Sequence, residues 1–158
     1  MYGILRLMNY WLMKTEADCY SIDDLKRDKV TPWNGVRNYQ ARNFMRDNMN
    51  IGDRVLFYHS NGNPSGIAGI GKVSSKPHPD ESQFDKNDEH YDPKSKREHP
   101  TWICVDVGFV KKFKQSISLH DLKTDPATAG MIVCQKGSRL SIQPVSERHY
   151  NYIIDNLT

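Results

Sequence analysis

The hydrophobic positions of this chain switch between a strand-like spacing and a helix-like spacing. Four apolar residues followed by a lysine, at residues 10–14, predict a first strand. Further along, four apolar residues recur at i, i+3, i+4 and i+8, which places them on one helical face: Ala41, Phe44, Met45 and Met49. Asn38 suits the N-cap of this helix, and Gly52 stands just past its predicted end. The pattern therefore predicts a strand followed by an amphipathic helix.

The rest of the chain carries more strand signals than helix signals. Further strands are predicted at residues 54–58, 67–73, 102–110, 132–134 and 140–143. Short helices are predicted after three serines that can cap them: Ser21, Ser118 and Ser146. Because strands outnumber the helices that could cross between them, a parallel doubly wound sheet is not expected. The predicted fold class is α+β, a small, partly closed, mostly antiparallel β-barrel decorated with short α-helices.

One segment does not fit a core. Residues 76–100 contain four prolines, five basic and seven acidic residues. Loops of this length inside a compact domain are usually functional or disordered. We predict a surface loop that wraps the barrel and is pinned by Phe84 and Tyr91.

Composition and charge limit the class of protein. A length of 158 residues with 37% apolar and 26% charged residues indicates one soluble globular domain, predicted at residues 9–158 after an N-terminal extension at 1–8. No apolar run reaches the roughly 20 residues of a membrane span. The net charge of +3 is too small to prove nucleic-acid binding by itself. Three widely separated cysteines exclude a disulfide framework and a CxxC zinc site, and they predict a cytoplasmic location. We expect a monomer.

A polar segment next to large aromatic residues is the first candidate for chemistry. Residues 34–42 follow Trp33, and Gly35 permits a tight turn before the predicted helix. Three arginines in and after this segment could contact phosphate or an anionic backbone: Arg37, Arg42 and Arg46. The alternative interpretation is a solvated helix face with a buried tryptophan.

Two tryptophans stand where a loop meets a regular element. Trp33 follows Pro32 directly, and Trp102 follows Pro100 at one residue's distance. Aromatic residues at such junctions can form the walls of a slot that stacks a planar ring, although core packing would explain them equally well.

Metal and catalytic motifs are not found. The histidines at 78, 90 and 99 lack metal-ligand spacing, and the serines, cysteines and glycines form none of the usual nucleophile or dinucleotide motifs. We therefore predict no catalytic set, no metal and no cofactor.

The order of several blocks resembles the EVE domain family. The resemblance spans about residues 10–152 and rests on the blocks at 11–16, 33–45, 52–61, 66–71, 100–102 and 138–145. The family implies a PUA-like barrel related to YTH and ASCH domains, and a role in reading modified bases in DNA or RNA without catalysis. Two positions depart from the family pattern: Ala17 replaces a common proline, and Asn34 replaces a common aspartate beside the implied pocket.

The resemblance also implies which residues form a base pocket. By the positions that match YTH-like readers, the pocket comprises Lys14, Thr15, Trp33, Ser60, Asn61 and Trp102. The same blocks add Asn34, Val36 and Ser138. An amide can pair with a base edge, and a hydroxyl can contact an exocyclic oxygen or a ring nitrogen.

The predicted function is a non-enzymatic module that reads a modified nucleobase, a modified cytosine or related base, in DNA or RNA. Arg37, Arg42 and Arg46 would contact the backbone, and Asn34 and Asn61 would set base selectivity. Two other classes stay open at this point. One is a protein that binds a small metabolite or nucleotide, and the other is an enzyme that acts on modified nucleosides.

Overall fold

The computed structural model describes residues 7–158, and six of the eight residues of the predicted extension lie outside them. A six-stranded sheet forms the centre of the molecule. Its strands are β1 (Tyr10–Glu16), β2 (Val30–Pro32), β3 (Arg54–Ser60), β4 (Gly66–Val73), β7 (Asp106–Ser118) and β8 (Ile142–Val145). They lie in the order β2-β7-β4-β3-β1-β8. A separate pair joins β5 (His78–Pro79) to β6 (Ile103–Cys104). The helices are α1 (Ile22–Asp28), α2 (Tyr39–Asn43), α3 (Leu119–Thr124) and α4 (Glu147–Asn156).

The sheet is mostly antiparallel, as predicted, with one parallel pairing between β1 and β3. In that pairing Lys14 lies opposite Tyr58, and Glu16 lies opposite Ser60. Successive side chains of a strand point to opposite faces. Met13 and Phe57 accordingly pack in one apolar cluster, while Leu12 and Tyr58 pack in another. The curled sheet is therefore buried on both faces.

Capping residues fix where the helices begin. Ser21, Asn38, Ser118 and Ser146 each accept a hydrogen bond from the backbone three residues on, which confirms the four predicted N-caps. The helix predicted after Asn38 is shorter than its apolar spacing suggested. It widens into a π-helical turn at Phe44–Asn48, and Met49 is already extended. Met45 and Met49 are still buried, so the apolar face is preserved.

Two strand predictions need correction. Ile132–Cys134 is a 3-10 turn in which only Val133 is buried, so the strand predicted there is wrong. A run of three apolar residues is too short for periodicity to separate a turn from a strand. The strand predicted at 140–143 forms two residues later, as β8, where Tyr10 to Met13 of β1 pair with it.

Residues 76–100 are held to the domain by buried polar side chains. Phe84 and Tyr91, the predicted pins, are only partly buried. Asp80, Ser82 and Gln83 are buried instead, and Gln83 exchanges hydrogen bonds with the backbone N–H and C=O of Trp102. The segment is therefore packed into the domain through these buried side chains and is not only a loop on the surface of the barrel.

Candidate functional site

A cavity of about 450 Å³ opens beside the carboxyl end of β1. This volume falls within the range of small-molecule sites, roughly 300–1,000 Å³. The long loop contributes Glu89 and His90 to its wall. Ser141, directly before β8, also lines it. The remaining lining residues come from β1, β2 and the connections that follow them: Lys14, Thr15, Glu16, Cys19, Tyr20, Thr31, Pro32, Trp33, Asn34, Gly35, Val36 and Arg37.

Trp33 gives the cavity a fixed aromatic wall. Its indole is only 8% exposed and meets the ring of Phe57 edge-on, with 5.6 Å between the ring centroids. Its backbone N–H donates to the carbonyl of Val105 at 2.8 Å. Trp33 therefore packs in the core and also lines the cavity, so the two interpretations that the sequence left open, core packing and a pocket wall, both apply to it.

Gly35 forms the turn that brings Asn34 and Val36 to the cavity. Its φ of +84° is one that residues with a Cβ rarely adopt. A Cβ at this position would also lie 2.9 Å from Cε1 of His90. The glycine thus lets the turn pack directly against the long loop.

Asp80 fixes this turn from the buried side. It is 1% exposed, and its Oδ2 accepts hydrogen bonds from the Gly35 N–H at 2.8 Å and from Nη1 of Arg37 at 3.0 Å. Burial alone would raise the pKa of Asp80, but hydrogen bonds from Ser82, Gly35 and Arg37 outweigh burial, and the pKa is lowered. The carboxylate is therefore ionised at neutral pH.

The Arg37 guanidinium makes all of its hydrogen bonds to groups within the protein. The five N–H donors of a guanidinium group are all used here, on the carbonyls of Val36 and His90, the Asp80 carboxylate and the Ser82 hydroxyl. Contact with a phosphate would require some of these bonds to break. In this structure Arg37 therefore positions the turn, and its contact with a nucleic-acid backbone stays a prediction.

Trp102 does not line this cavity, although the family resemblance placed it in one pocket with Trp33. Its indole is 6% exposed and stacks on Tyr39, with 5.0 Å between the centroids. The indole N–H donates to Asp92 at 2.8 Å, and the Arg37 guanidinium lies 5.1 Å from the ring. Asp92 of the long loop thus holds the indole outside the first cavity. Besides Trp33, the aromatic side chains that line this cavity are those of Tyr20 and His90.

Ser60 and Asn61 lie outside the first cavity, and Asn61 contacts one of its lining residues. Neither lines it, but the Asn61 amide donates to Oε1 of Glu16 at 2.8 Å, and Glu16 does line it. Asn61 has a φ of +53°, which the turn after β3 requires. The Asn61 amide therefore orients the Glu16 carboxylate at the cavity.

Lys14 and Ser138 meet at a second cavity, also of about 450 Å³. Lys14 lines both cavities, whereas Ser138 lines only the second, and its hydroxyl accepts a hydrogen bond from Gln143. The nine predicted pocket residues are thus divided. Lys14, Thr15, Trp33, Asn34 and Val36 share the first cavity, and Ser60, Asn61, Trp102 and Ser138 lie outside it.

Arg42 and Arg46 lie on α2 and on the π-helical turn after it. Arg42 donates to the carbonyl of Thr101 at 2.8 Å and to the Asn43 side chain, and it lies 4.8 Å from the Tyr39 ring. Arg46 pairs with Asp47 at 2.8 Å, and both side chains are a little less than half exposed. Neither arginine lines the first cavity.

Sequence reasoning missed five residues that define the site: Glu16, Tyr20, Asp80, Glu89 and His90. Asp80 and His90 reach the turn across 43 to 53 residues of chain. Spacing rules act over a few residues and cannot detect such pairs. The only local signal was the number of acidic residues in the long loop.

Within residues 7–158, no cluster of three or more His, Cys, Asp or Glu side chains could hold a metal ion. A search of the same residues finds no helix with the length and apolar character needed to cross a bilayer.

Comparison with known proteins gives a consistent result. Thymocyte nuclear protein 1 of Rattus norvegicus is 43% identical over 166 residues, which cover 94% of this chain and 73% of that protein. A hypothetical protein from Leishmania major superposes with a TM-score of 0.89 at 44% identity, covering 94% of each chain. Human THYN1 in complex with 5-methylcytosine-containing DNA superposes with a TM-score of 0.85 at 40% identity, covering 93% of this chain and 96% of that one.

These comparisons confirm one prediction and overturn another. The predicted α+β, PUA-like fold is confirmed. The predicted cytoplasmic location is wrong, because the rat, human and mouse relatives are all named as nuclear proteins. Cysteine content reports the redox state of a compartment, and it does not separate the cytosol from the nucleus. The EVE domain model matches residues 9–156, and the chain belongs to the EVE domain family.

Proposed function

We propose that residues 9–158 form one domain that binds nucleic acid and reads a modified cytosine in the cavity beside Trp33, without altering the base. The observation that carries the proposal is the structure of human THYN1 in complex with 5-methylcytosine-containing DNA, which has the same fold at 40% identity. The residues around the cavity of this chain support it.

Trp33 suits one face of a flipped base. Stacking on an aromatic side chain contributes about 1–3 kcal/mol per base. The backbone of Trp33 is fixed by its hydrogen bond to Val105, and the indole packs against Phe57, so little conformational freedom would be lost on binding. Extruding a base from a duplex costs a few kcal/mol, so single-stranded sites should bind more readily.

Carboxylates at the cavity favour cytosine over thymine or uracil. Glu16 and Glu89 both line it, and an ionised carboxylate only accepts hydrogen bonds. Cytosine presents an N4 amine that can donate to such a group, whereas thymine presents an O4 acceptor at the same position. Asn34 adds an amide that can match a base edge holding both a donor and an acceptor.

Val36 offers an apolar contact for a methyl substituent. Burying one methyl group contributes about 0.8 kcal/mol, which corresponds to about fourfold in affinity. The preference for 5-methylcytosine over cytosine is therefore expected to be modest. A larger preference would require shape selection or desolvation elsewhere in the cavity.

The thiol at the cavity is poorly suited to catalysis. Desolvation and the nearby Glu16 carboxylate raise the pKa of Cys19. At neutral pH this residue is a thiol, and the thiolate is the nucleophile that covalent chemistry would need. This supports a binding role, and mass spectrometry of modified oligonucleotides after incubation would detect any product.

Binding to a matched set of oligonucleotides tests the proposal. We would measure fluorescence anisotropy with single-stranded and double-stranded DNA and RNA that differ only in one cytosine, 5-methylcytosine or thymine. We expect the methylated strand to bind best and thymine worst, and the DNA and RNA arms identify the polymer. Equal affinity for all three bases would overturn the proposal.

A further inference from the structure

The second cavity carries positive charge with no compensating carboxylate. Three of its lining residues are Lys14, Lys123 and Lys136, and no acidic residue lines it. Within residues 7–158, none of these three ammonium groups forms a salt bridge, whereas the basic side chains of Arg27, Arg37, Arg46, Arg97 and Lys112 each pair with an aspartate or a glutamate. Uncompensated lysines around a concave surface concentrate anions there.

Strand geometry directs Lys14 into this second cavity. Its register partner in β3 is Tyr58, and Nζ of Lys14 lies 5.9 Å from the centroid of the Tyr58 ring. Tyr58 lines the second cavity and not the first. Burial lowers the pKa of Lys14, and an anion bound nearby would favour its charged form.

The turn at residues 135–138 adds further donors. Gly137 has a φ of +76°, and the backbone N–H groups of Lys136 and Gly137 make no hydrogen bond within the part of the chain that the structure describes. Consecutive N–H groups beside a left-handed residue form concave anion sites in many proteins. The Ser138 hydroxyl lies at the same cavity.

We propose that the second cavity is a phosphate-binding subsite that holds a phosphodiester of the nucleic acid whose modified base occupies the first cavity. The inference rests on the proposed function, because Lys14 lines both cavities at the carboxyl end of β1. It also offers a backbone contact that breaks none of the hydrogen bonds that Arg37 makes within the protein. The two cavities then bind one strand, its base on one side of β1 and its phosphate on the other.

The test replaces the two exposed lysines and leaves Lys14 in place. The variant is Lys123→Gln with Lys136→Gln. The matched control is Lys111→Gln with Lys114→Gln, which removes the same charge from exposed positions of β7 that line neither cavity. Affinities for 5-methylcytosine and cytosine single strands without terminal phosphates are measured from 50 to 300 mM salt. Thermal melting checks that all variants fold.

We expect the cavity variant to bind both strands about tenfold more weakly at low salt, with an unchanged ratio between them. The slope of log affinity against log salt should become shallower by about 0.7 for each lost phosphate contact. The control should keep a slope close to that of the wild type. An unchanged slope, or an equal change in the control, overturns the subsite.

The outcomes separate the subsite from the base-reading proposal. If the wild type binds both strands equally and the cavity variant has a shallower salt slope, the subsite is supported and base reading is overturned. If the wild type prefers the modified strand and the cavity variant keeps the wild-type salt slope, base reading is supported and the subsite is overturned. The affinity for 5-methyldeoxycytidine 5′-monophosphate is measured as well. If the variant binds this nucleotide more weakly but binds the strands as tightly as the wild type does, the site serves free nucleotides and the phosphodiester assignment is wrong. A wild type that binds no oligonucleotide overturns both.

Discussion

Arg37 and Asp80 form a largely buried ion pair, with 3.0 Å between Nη1 and Oδ2, and the same oxygen accepts the N–H of Gly35. The pair joins the turn at the first cavity to the long loop, although the two residues are 43 positions apart. Removing one partner of a buried pair leaves the other charge unpaired, which costs more than the pair itself contributes.

Asp80→Asn should therefore destabilise the protein strongly. We expect the free energy of unfolding to fall by about 3 kcal/mol, measured by urea denaturation at pH 7. Glu98→Gln is the control, because Glu98 is exposed and forms no salt bridge in residues 7–158. Equal stability of the two variants would mean that Asp80 does not anchor the turn.

The same carboxyl group predicts a pH effect. Hydrogen bonds lower the pKa of Asp80 in the folded state, so its contribution is present above its unfolded value, about 3.9, and is lost as the pH falls through the folded value. The stability difference between wild type and Asp80→Asn should shrink below about pH 4. A difference that stays constant down to pH 3 would contradict the assignment.

Gly35→Ala should be more damaging than Gly52→Ala. Both glycines have positive φ, +84° and +97°, but a Cβ at Gly52 meets nothing within 4 Å, while one at Gly35 meets His90. We expect backbone strain of about 1–2 kcal/mol at both sites, and about 1 kcal/mol more at Gly35 from the contact.

A double-mutant cycle isolates that contact. In a His90→Ala background the extra cost at Gly35 should disappear, since the imidazole ring is gone, while the backbone carbonyl of residue 90 can still bind Arg37. Urea denaturation of the four proteins gives the coupling. A coupling near zero would show that the turn and the loop adjust independently.

Glu16 and Asn61 should affect base selectivity unequally. Glu16→Gln turns an acceptor at the cavity into a group that also donates, so binding of a 5-methylcytosine strand should weaken about tenfold. Asn61→Ala removes only the group that orients Glu16, and we expect about threefold. Anisotropy with modified and thymine strands measures both. A larger effect at Asn61 than at Glu16 would mean that Asn61 contacts the base itself.

His59 should make stability depend on pH in a second range. Its Nε2 accepts the backbone N–H of Ile22 at 3.2 Å, at the start of α1, and burial lowers its pKa. A histidine with a lowered pKa stabilises the fold above its unfolded value, about 6.5, and the contribution is lost as the pH falls through the folded value.

Melting temperatures from pH 7.5 to pH 5 test this. The wild type should lose stability below about pH 6.5, and His59→Gln should lose less over the same range. His149, whose pKa is also lowered by burial, accounts for a remaining part of the slope. His120→Gln, an exposed position on α3, is the control. Identical pH profiles for wild type and His59→Gln would contradict the prediction.

Local rules predicted the elements of this fold well. The caps at Ser21 and Asn38 and the strands around residues 54–58 and 67–73 depend on neighbours a few positions away, and the structure has them where the sequence placed them. The predicted strand at Ile132–Cys134 failed because three apolar residues fit a turn as well as a strand.

The site was harder to predict because its contacts are long-range. Their positions at loop junctions could not separate the two tryptophans: Trp33 lines the first cavity, whereas the indole of Trp102 lies outside it, where it donates to Asp92 and stacks on Tyr39. Arg37 looked available for phosphate until its partners on residues 80–90 were known. Charge and spacing identify such residues, but their partners are decided by how the long loop folds back.

The alternation along β1 has a consequence for how this protein can diversify. Lys14 and Thr15 are adjacent in the chain, yet the side chain of Lys14 is directed toward Tyr58 and the second cavity, while Thr15 lines only the first. Under the roles proposed for the two cavities, a point substitution at residue 15 should change which base is preferred and leave the contact of Lys14 with the strand in place. A single-residue insertion before residue 14 would move both side chains to the opposite face of β1, so changes in ligand preference should arise by substitution and not by changes in the length of β1.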